Sequence, residues 1–253
     1  MILVILQART SSTRLPGKVL LDVLGKPMII RQIERIRFAK NINKLVVATS
    51  NEVEDLELVE VCKNNKIEFF CGDLNNVLKR FYDCALQYEP DNIVRLTGDC
   101  PLIDPEIIDK VIKFHLDGNF DYTSNVLNSH YPDGLDVEIF NFKSLKISYE
   151  NAKLESQKEH LTQYILSNKK DFKIGFFYEG KNRSELRWTV DNKEDFDLIT
   201  KIYQKLYNKN KLFLMKDIVE LFESDHSLQE INNKYQRNEG LLKSLQNDKI
   251  TSI

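Results

Sequence analysis

Apolar segments of strand length alternate with stretches of helical periodicity through the first 120 residues. The strand-like segments are residues 2–6, 44–49, 67–71 and 92–96. Each is followed by a stretch whose apolar side chains recur every three or four positions. This alternation is typical of a parallel sheet covered by helices. It predicts a Rossmann-like α/β unit over residues 1–120.

The helical stretches have recognisable starts and apolar faces. Pro27 stands at a suitable first helical position, and Ile29, Ile33 and Ile36 follow at helical spacing. The same periodicity predicts a helix around residues 56–62 and two more at residues 77–87 and 105–117. Four helices are therefore expected between and after the predicted strands.

The alternation breaks after residue 121. Short extended segments are predicted at residues 121–125 and 135–140, around the turn-rich stretch 130–134. Helices follow at 142–152 and 157–168, then a strand at 172–179, a last strand ending in 186–191, and helical sequence from 193 onward. We predict one domain over residues 1–230, with a small β-rich lobe inserted at 121–190. Residues 231–253 are expected to form a polar tail, and the chain after Asn232 is expected to fray.

The composition excludes several classes of protein. Basic and acidic side chains nearly balance, at 36 and 38, so the chain lacks the positive excess of a general nucleic-acid binder. No run of about 18 apolar residues exists to span a membrane, and residues 1–6 lack a basic leader and a cleavage site. We therefore expect a cytoplasmic protein. The four cysteines show no CxxC spacing and are expected to be reduced core thiols.

Several common catalytic motifs are missing from the sequence. A Walker loop ending at Gly17-Lys18 would need glycine at position 12 and Ser or Thr at 19, where the chain has Ser12 and Val19. GxGxxG, HExxH and GxSxG do not occur either. The chain is therefore not a P-loop NTPase, and dinucleotide, zinc-protease and serine-hydrolase chemistry lose their usual support.

The segment after the first strand, residues 7–18 (QARTSSTRLPGK), is the strongest functional candidate. It lies at the carboxyl end of a leading parallel strand, where doubly wound sheets bind ligands. Its hydroxyl groups and backbone N–H groups can donate to phosphate oxygens, and three cations, Arg9, Arg14 and Lys18, can neutralise a triphosphate. A solvated basic loop explains the same residues equally well from chemistry alone.

Seven blocks in consistent order carry a resemblance that spans residues 1–225. They are residues 7–9 (QAR), 12–18 (STRLPGK), 25–27 (GKP), 96–104 (LTGDCPLID), 131–138 (YPDGLDVE), 159–160 (EH) and 186–191 (LRWTVD). Together they closely resemble the spore-coat polysaccharide cytidylyltransferase-like family, which is similar to the CMP-acylneuraminate and CMP-Kdo synthetases. One departure is Ser11, where the relatives usually carry glycine, and a side chain there narrows the approach of the backbone to phosphate.

The resemblance implies a nucleotide-diphospho-sugar-transferase fold and transfer of CMP from CTP to a sugar, sugar acid or other anionic acceptor, with release of pyrophosphate. It also implies a homodimer. Arg9, Arg14 and Lys18 would be exposed loop cations that stabilise the leaving pyrophosphate. The nucleotide-binding set would be Gln7, Ala8, Arg9, Thr10, Ser11, Ser12, Thr13, Arg14, Lys18, Thr49, Thr97 and Gly98.

Two aspartates are the implied ligands of Mg²⁺. Asp99 follows a predicted strand, and the alternative is that it only caps a turn before Pro101. Asp191 follows the last predicted strand, and its alternative is an N-cap, because Glu194 stands three residues later as in a capping box. The metal-binding interpretation is favoured for both.

The implied acceptor region contains Asn125, Asp136, Glu138 and Arg187. Asp136 and Glu138 alternate on one strand face, where they either meet a polar acceptor or are merely solvated. Arg187 precedes Trp188 and either pairs with an acceptor anion or stacks structurally on the indole. Both alternatives stay open at this stage.

Two other functions are compatible with the sequence. A glycosyltransferase of similar fold usually has an Asp-x-Asp pair where this chain has Gly98-Asp-Cys100. A non-catalytic nucleotide sensor would bind CTP without turning it over.

Overall fold

The four strands predicted in the first half lie side by side in one sheet. They are β1 (Ile2–Gln7), β2 (Lys44–Ser50), β3 (Glu68–Gly72) and β4 (Asn92–Thr97). In this computed structural model, which describes residues 1–127, 130–235 and 237, they run in the order β3-β2-β1-β4 with every pair parallel. Their carboxyl ends therefore meet along one edge of the sheet, as expected for this class of fold.

The helices cover both faces of this sheet. The first four are α1 (Met28–Ile36), α2 (Leu56–Asn64), α3 (Val77–Leu86) and α4 (Pro105–Gly118), close to the predicted bounds. Asp104 caps α4 by accepting from Glu106 N at 2.9 Å, and Pro105 occupies its first turn, where a missing N–H costs nothing. Central strand residues such as Val4 and Ile5 are completely buried between the two helical layers.

The strands of the second half extend the same sheet instead of forming a separate lobe. They are β5 (Tyr122–Ser124), β6 (Glu138–Asn141) and β7 (Ile174–Phe176), and the full order is β3-β2-β1-β4-β6-β5-β7. β6 is antiparallel to both β4 and β5. Strands of three or four residues cannot bury a face by themselves, so they are stable only as additions to the existing sheet.

The prediction that a last strand ends in residues 186–191 is wrong. This segment forms a single bridge, between Arg187 and Asp133, and its other backbone bonds go to a different loop, with Val190 N donating to Asp99 O at 2.8 Å. Gly134 makes the approach possible: its φ is 108°, and a Cβ there would lie 2.6 Å from the backbone N of Thr189. The segment thus runs between two loops and joins them.

The remaining helices are shorter than predicted. Residues 157–168 form two short helices, α6 (Glu155–Glu159) and α7 (Gln163–Ser167), after α5 (Phe142–Asn151). The sequence after 193 is interrupted, giving α8 (Lys193–Leu206), α9 (Met215–Ser224) and α10 (Ser227–Glu230). Within the described ranges, no helix has both the length and the apolarity needed to cross a bilayer.

One sequence prediction about side chains needs correction. All four cysteines are free, as expected, but Cys71 on β3 is exposed and does not belong to the core. Of the predicted tail, residues 231–235 and 237 are described, and Asn232 at its start is only 3% exposed. The rest of the tail prediction falls on residue 236 and residues 238–253, which lie outside the described residues.

Candidate active site

Two cavities of about 350 Å³ each open at the carboxyl edge of the sheet. We call the first the loop cavity; it is lined by Gln7, Ala8, Arg9, Ser12, Thr13, Arg14, Lys18, Val19, Thr97, Gly98, Asp99 and Asp191. The second is called the acidic cavity because five carboxylates line it: Asp99, Asp133, Asp136, Glu138 and Asp191. The two cavities share Arg14, Thr97, Asp99 and Asp191.

Lys18 joins the shared residues. Its Nζ donates to Asp99 Oδ2 at 3.1 Å, to Asp191 Oδ1 at 2.9 Å and to Val190 O at 2.7 Å. Gly17, at φ 67°, turns the chain so that Lys18 begins a short 3₁₀ helix, Lys18–Leu20, and points inward. Lys18 is only 8% exposed, so the prediction of an exposed loop cation is wrong for this residue.

The charges of this cluster shift one another strongly. Burial alone would lower the pKa of Lys18, but Asp99 and Asp191 outweigh it and raise that pKa. Burial would likewise raise the pKa of Asp99, but Lys18, with hydrogen bonds from Thr97 and Cys100, lowers it to about 2. Asp99 is therefore a carboxylate at every physiological pH. Arg14 contributes a second cation, with Nη2 3.0 Å from Asp191 Oδ1.

The 7–18 loop is anchored by an aspartate that sequence reasoning missed. Asp55 Oδ1 accepts from the backbone N of Thr10 at 2.6 Å and from the Thr10 hydroxyl at 2.8 Å. Its other oxygen accepts from the Ser50 hydroxyl at 2.5 Å. Thr10 thus holds the loop to Asp55 beside β2, and it lies outside the lining of both cavities, so its place in the nucleotide-binding set stays a prediction. Asp55 belongs to no recognised sequence motif, so its role as an anchor of the loop could not be predicted from the sequence.

Of three other residues in the predicted nucleotide-binding set, two lie outside the lining of both cavities. Thr49 is completely buried in β2 and Ser11 is exposed, so their contacts with the nucleotide stay predictions. Gly98 lines the loop cavity, but a Cβ there would lie 2.8 Å from that of Ala8, so the glycine lets two strand ends approach each other.

Asp191 does not cap a helix. α8 is capped by Asn192, whose N–H donates to Asp195 Oδ2 at 2.9 Å, so the reciprocal pair is Asn192 and Asp195. The carboxylate of Asp191 points instead to Lys18, Arg14 and Arg187. The capping alternative is thereby excluded, although the predicted strand before Asp191 does not exist.

Arg187 is bound on all sides by carboxylates. It lies 3.0 Å from Asp133, 3.1 Å from Asp191 and 2.9 Å from Asp195. Burial would lower its pKa, but these partners raise it. Its guanidinium does not stack on Trp188, and with three carboxylates already bound it is poorly suited to capture an acceptor anion directly. Arg187 therefore links Asp133 and Asp191, which line the acidic cavity, to Asp195.

The other predicted acceptor residues divide into two groups. Asn125 is 1% exposed, donates to Leu135 O, accepts from Val137 N and lies outside the lining of both cavities, so its role in acceptor binding stays a prediction. Glu138 and Asp136 both line the acidic cavity. Glu138 already pairs with Arg95 and accepts from the hydroxyls of Tyr122 and Thr162.

Of the carboxyl groups in this cavity, Asp136 has the pKa that is shifted furthest from its ordinary value. Burial raises its pKa to about 7, and the neighbouring carboxylates Asp133, Glu138 and Asp99 act in the same direction. Arg237 opposes them, with Nη2 2.5 Å from Asp136 Oδ1. A carboxyl group with a pKa near neutrality in a cavity is typical of a functional site.

Sequence reasoning missed ten residues that line the acidic cavity, among them Arg95, Cys100, Asp133 and His160. Asp133 and His160 stand inside the quoted 131–138 and 159–160 blocks, so a signal was available for both. Arg95 lies in the middle of β4, where a charged residue in an apolar strand is itself unusual. Cys100 follows Asp99 and donates weakly to it at 3.5 Å.

The donor set at the junction suits a hard divalent cation. Asp99 and Asp191 present carboxylate oxygens to the same point, now held by the Lys18 ammonium. In the described part of the chain, no three His, Cys, Asp or Glu side chains are grouped to enclose a metal ion. Mg²⁺ commonly takes only one or two protein carboxylates beside substrate phosphates, so two aspartates are sufficient.

Residues 3–251 match the model of one protein family, described as cytidylyltransferase. An uncharacterized protein of Methanocaldococcus jannaschii is 35% identical over 90% of this chain and 93% of its own length. The spore coat polysaccharide biosynthesis protein SpsF of Bacillus subtilis is 36% identical over 81% and 87%. The chain belongs to the cytidylyltransferase family. It is thus a CTP-dependent nucleotidyltransferase.

Solved structures support the same fold. A cytidylyltransferase from Leptospira borgpetersenii superposes on this cytidylyltransferase with a TM-score of 0.87 at 31% identity, covering 93% of this chain and 99% of that one. A CMP-2-keto-3-deoxy-manno-octonic acid synthetase complexed with CTP gives 0.63 at 19% identity, covering 81% and 98%. The Mycobacterium tuberculosis protein Rv0371c, in complex with manganese, gives 0.55 at 14% identity, covering 79% and 98%. The last two structures, at 19% and 14% identity, show only that the fold is shared.

Proposed function

We propose that this enzyme transfers CMP from CTP to a sugar or sugar acid in the biosynthesis of a surface polysaccharide or glycan, releasing pyrophosphate. One observation carries the proposal: the loop cavity and the acidic cavity meet at Asp99 and Asp191. A triphosphate in the loop cavity would present its α-phosphorus at this junction. An acceptor in the acidic cavity would then be adjacent to it, which is the geometry that nucleotidyl transfer requires.

The loop cavity is the proposed CTP site. Arg9, Arg14 and Lys18 would neutralise the phosphates, while the Ser12 and Thr13 hydroxyls donate to their oxygens. Gln7 and Ala8 at the end of β1 would face the base through their backbone and amide groups. The synthetase of similar fold that was solved with CTP supports the assignment of the nucleotide.

Asp99 and Asp191 are the proposed Mg²⁺ ligands. When bound, the ion would supply charge neutralisation at the phosphates. Lys18 would move from the two carboxylates toward the pyrophosphate, because a divalent cation replaces its charge there. The manganese complex of Rv0371c, which has the same fold, supports a divalent ion in this kind of protein.

The chemistry needs no protein nucleophile. An acceptor oxygen would form one bond to the α-phosphorus, the P–O bond to pyrophosphate would break with its electron pair leaving on pyrophosphate, and the acceptor's hydroxyl proton would pass to water. Positioning and charge neutralisation supply most of the catalysis in such transfers. Arg14, shared by the two cavities, is placed to contact both substrates.

The acceptor is proposed to be rich in hydroxyl groups. Asp136 and Glu138 offer carboxylate oxygens to such groups, whereas the arginines of the same cavity are engaged by its carboxylates. An acceptor carboxylate would therefore have to lie toward Arg14 and the junction. SpsF, by its name a protein of spore coat polysaccharide biosynthesis, supports this class of product. The homodimer implied by the family resemblance stays a prediction.

The test is a transfer assay with CTP, Mg²⁺ and a panel of single acceptors that includes Kdo, nonulosonic acids and neutral sugars. Pyrophosphate release and the mass of the CMP adduct are measured for each. We expect one class of acceptor to give both, with CTP preferred over ATP and GTP. CTP binding without pyrophosphate release for any acceptor would favour a sensor, and comparable release from ATP would refute the CTP preference.

A further inference from the structure

We propose that Arg237 is a positioning residue for the acceptor: it holds Asp136 at the wall of the acidic cavity, so that the chain beyond α10 completes this site. The proposal rests on the assignment of the acidic cavity to the acceptor. It concerns a part of the sequence that would ordinarily be taken for a solvated tail.

Three contacts of Arg237 point to the cavity wall. Its Nη2 donates to Asp136 Oδ1 at 2.5 Å, its Nη1 donates to Tyr131 O at 3.3 Å, and its Nε lies 3.6 Å from Asp133 Oδ1. Asp133 and Asp136 both line the cavity. One guanidinium therefore connects two carboxylates and the backbone of the segment that carries them.

The chain before Arg237 is anchored beside the same cavity. Asn232 is buried and donates to Arg187 O at 3.0 Å and to Asp195 Oδ1 at 2.8 Å. The Tyr235 hydroxyl donates to Glu194 at 2.8 Å, and the Arg187 guanidinium lies 5.9 Å from the centre of the Tyr235 ring. These contacts fix the direction in which the chain reaches Arg237.

Each of the three carboxylates of residues 133–138 pairs with an arginine, and the arginines come from three distant places. Glu138 pairs with Arg95 on β4, and Asp133 pairs with Arg187 at 3.0 Å and, more loosely, with Arg237 at 3.6 Å. Asp136 pairs with Arg237 alone within the described residues. Loss of Arg237 would therefore leave Asp136 beside Asp133, Glu138 and Asp99 without a cation of its own.

The pairing with Arg237 leaves one carboxylate oxygen of Asp136 available to a ligand. Arg237 binds Oδ1, and Oδ2 accepts no hydrogen bond from the described part of the chain, so it is available to an acceptor hydroxyl. Arg237 also opposes the rise of the Asp136 pKa that burial and the three neighbouring carboxylates produce. The arginine thus fixes both the orientation and the charge of the group that would meet the acceptor.

The first measurement needs no acceptor. The titration of Asp136 is followed by carboxyl NMR in wild type, Arg237→Ala and Arg237→Lys, with the resonance assigned by Asp136→Asn. We expect the inflection to move upward by about 1 to 3 pH units in Arg237→Ala, since an adjacent opposite charge lowers a carboxyl pKa by about that amount, and to return most of the way in Arg237→Lys. Lys234→Ala is the matched control: it removes an exposed cation of the same segment whose partner is Glu194.

The second measurement uses the acceptor identified by the transfer assay. Arg237→Ala should raise the KM for the acceptor about tenfold, as loss of a charge-assisted hydrogen bond does, while the KM for CTP stays within about twofold. Arg237→Lys should recover part of the acceptor KM, and Lys234→Ala should match wild type in both.

The outcomes separate this proposal from the proposed function. An unchanged Asp136 inflection in Arg237→Ala overturns the proposal, and so does a moved inflection with an unchanged acceptor KM. An equal rise of both KM values also overturns it, because it would indicate a general loss of structure. If no acceptor is turned over, the proposed function fails, whereas the NMR titration still decides whether Arg237 controls Asp136.

Discussion

The loop cavity and the acidic cavity adjoin each other but are built in different ways. Most of the loop cavity comes from one continuous stretch, residues 7–19, and the rest from the neighbouring strand end and Asp191. The acidic cavity is assembled from separate parts of the chain, including β4, residues 133–138, the α6–α7 region and residues 187–191. Arg237 then reaches its wall from the C-terminal side.

The two cavities also differ in how their charged side chains are arranged. In the loop cavity, cations from one loop surround a shared pair of aspartates, so an added polyanion would find positive charge already in place. In the acidic cavity, each of the three carboxylates from residues 133–138 is paired with an arginine from elsewhere. The first arrangement suits a substrate that brings its own negative charge, and the second suits one that brings hydroxyl groups. Variants on each side should therefore affect different substrates.

The largest effect is expected for Lys18→Ala, which acts on both cavities. Turnover should fall about a hundredfold or more, because a preorganised cation is lost where charge develops. The melting temperature should fall as well, since removing one partner of a buried ion pair costs up to about 3–5 kcal/mol. Added MgCl₂ should raise the melting temperature more in the variant than in wild type, because Asp99 and Asp191 then lack their ammonium.

Steady-state pyrophosphate release and thermal melts with and without MgCl₂ provide the measurements. Lys26→Ala is the control, because Lys26 is a half-exposed lysine whose partner is Glu34, away from both cavities. Wild-type turnover in Lys18→Ala would refute the role of Lys18 at the junction.

The next largest effect is expected for Asp191→Asn. Activity at low Mg²⁺ should fall about ten- to hundredfold and recover partly at high Mg²⁺, because an amide is a poorer ligand for a hard cation. The start of α8 should be unaffected, since Asn192 and Asp195 cap it without Asp191. The melting temperature should fall, because the carboxylate that pairs with Arg14, Lys18 and Arg187 is lost. Activity is measured against MgCl₂ concentration. Asn192→Asp exchanges one good N-cap for another and should leave the metal dependence unchanged; full activity of Asp191→Asn at low Mg²⁺ would remove this residue from the site.

The pH dependence should separate the two cavities. Asp99, with a pKa of about 2, stays ionised between pH 6 and 8, whereas Asp136, with a pKa of about 7, gains its charge over this range. If the ionised Asp136 binds the acceptor, the acceptor KM should fall by up to about tenfold as pH rises from 6 to 8, because a single group with this pKa becomes about ten times more ionised. Asp136→Asn should abolish this slope and leave the pH dependence of the CTP KM as in wild type. A slope that survives in Asp136→Asn would assign it to another group.

The two cavities are built differently, and this difference also explains which parts of the site could be predicted from the sequence. β1 is apolar up to its last residue, β4 is largely apolar apart from Arg95, and the loop that follows β1 is contiguous, so strand, loop and cations could be predicted within a residue or two. Residues 186–191 could not, because Leu186, Trp188 and Val190 alternate with polar residues in the sequence as in a strand, whereas their backbone bonds join two loops. The pairing of Asp136 with Arg237 spans 101 positions and has no local pattern.

The smallest of these effects, and the most selective for the loop cavity, is expected for Asp55→Asn. The carboxylate accepts from the backbone and hydroxyl of Thr10 and from the Ser50 hydroxyl, and an amide can accept through one oxygen only. The variant should lose about 1–3 kcal/mol of stability, and the KM for CTP should rise a few-fold while the acceptor KM stays constant.

Its pH dependence has a defined sign. Burial would raise the pKa of Asp55, but the hydrogen bonds from Ser50 and Thr10 lower it. A carboxyl group whose pKa is lowered by folding stabilises the protein above its unfolded pKa, about 3.9, and loses that contribution as pH falls through the folded value. The difference in unfolding free energy between wild type and Asp55→Asn should therefore be complete above about pH 5 and shrink in stronger acid. Urea unfolding at several pH values measures it, with Glu54→Gln as control, because only the backbone carbonyl of Glu54 contacts Thr10. A difference that persists unchanged at pH 2 would mean that Asp55 anchors the loop by its shape and not by its charge.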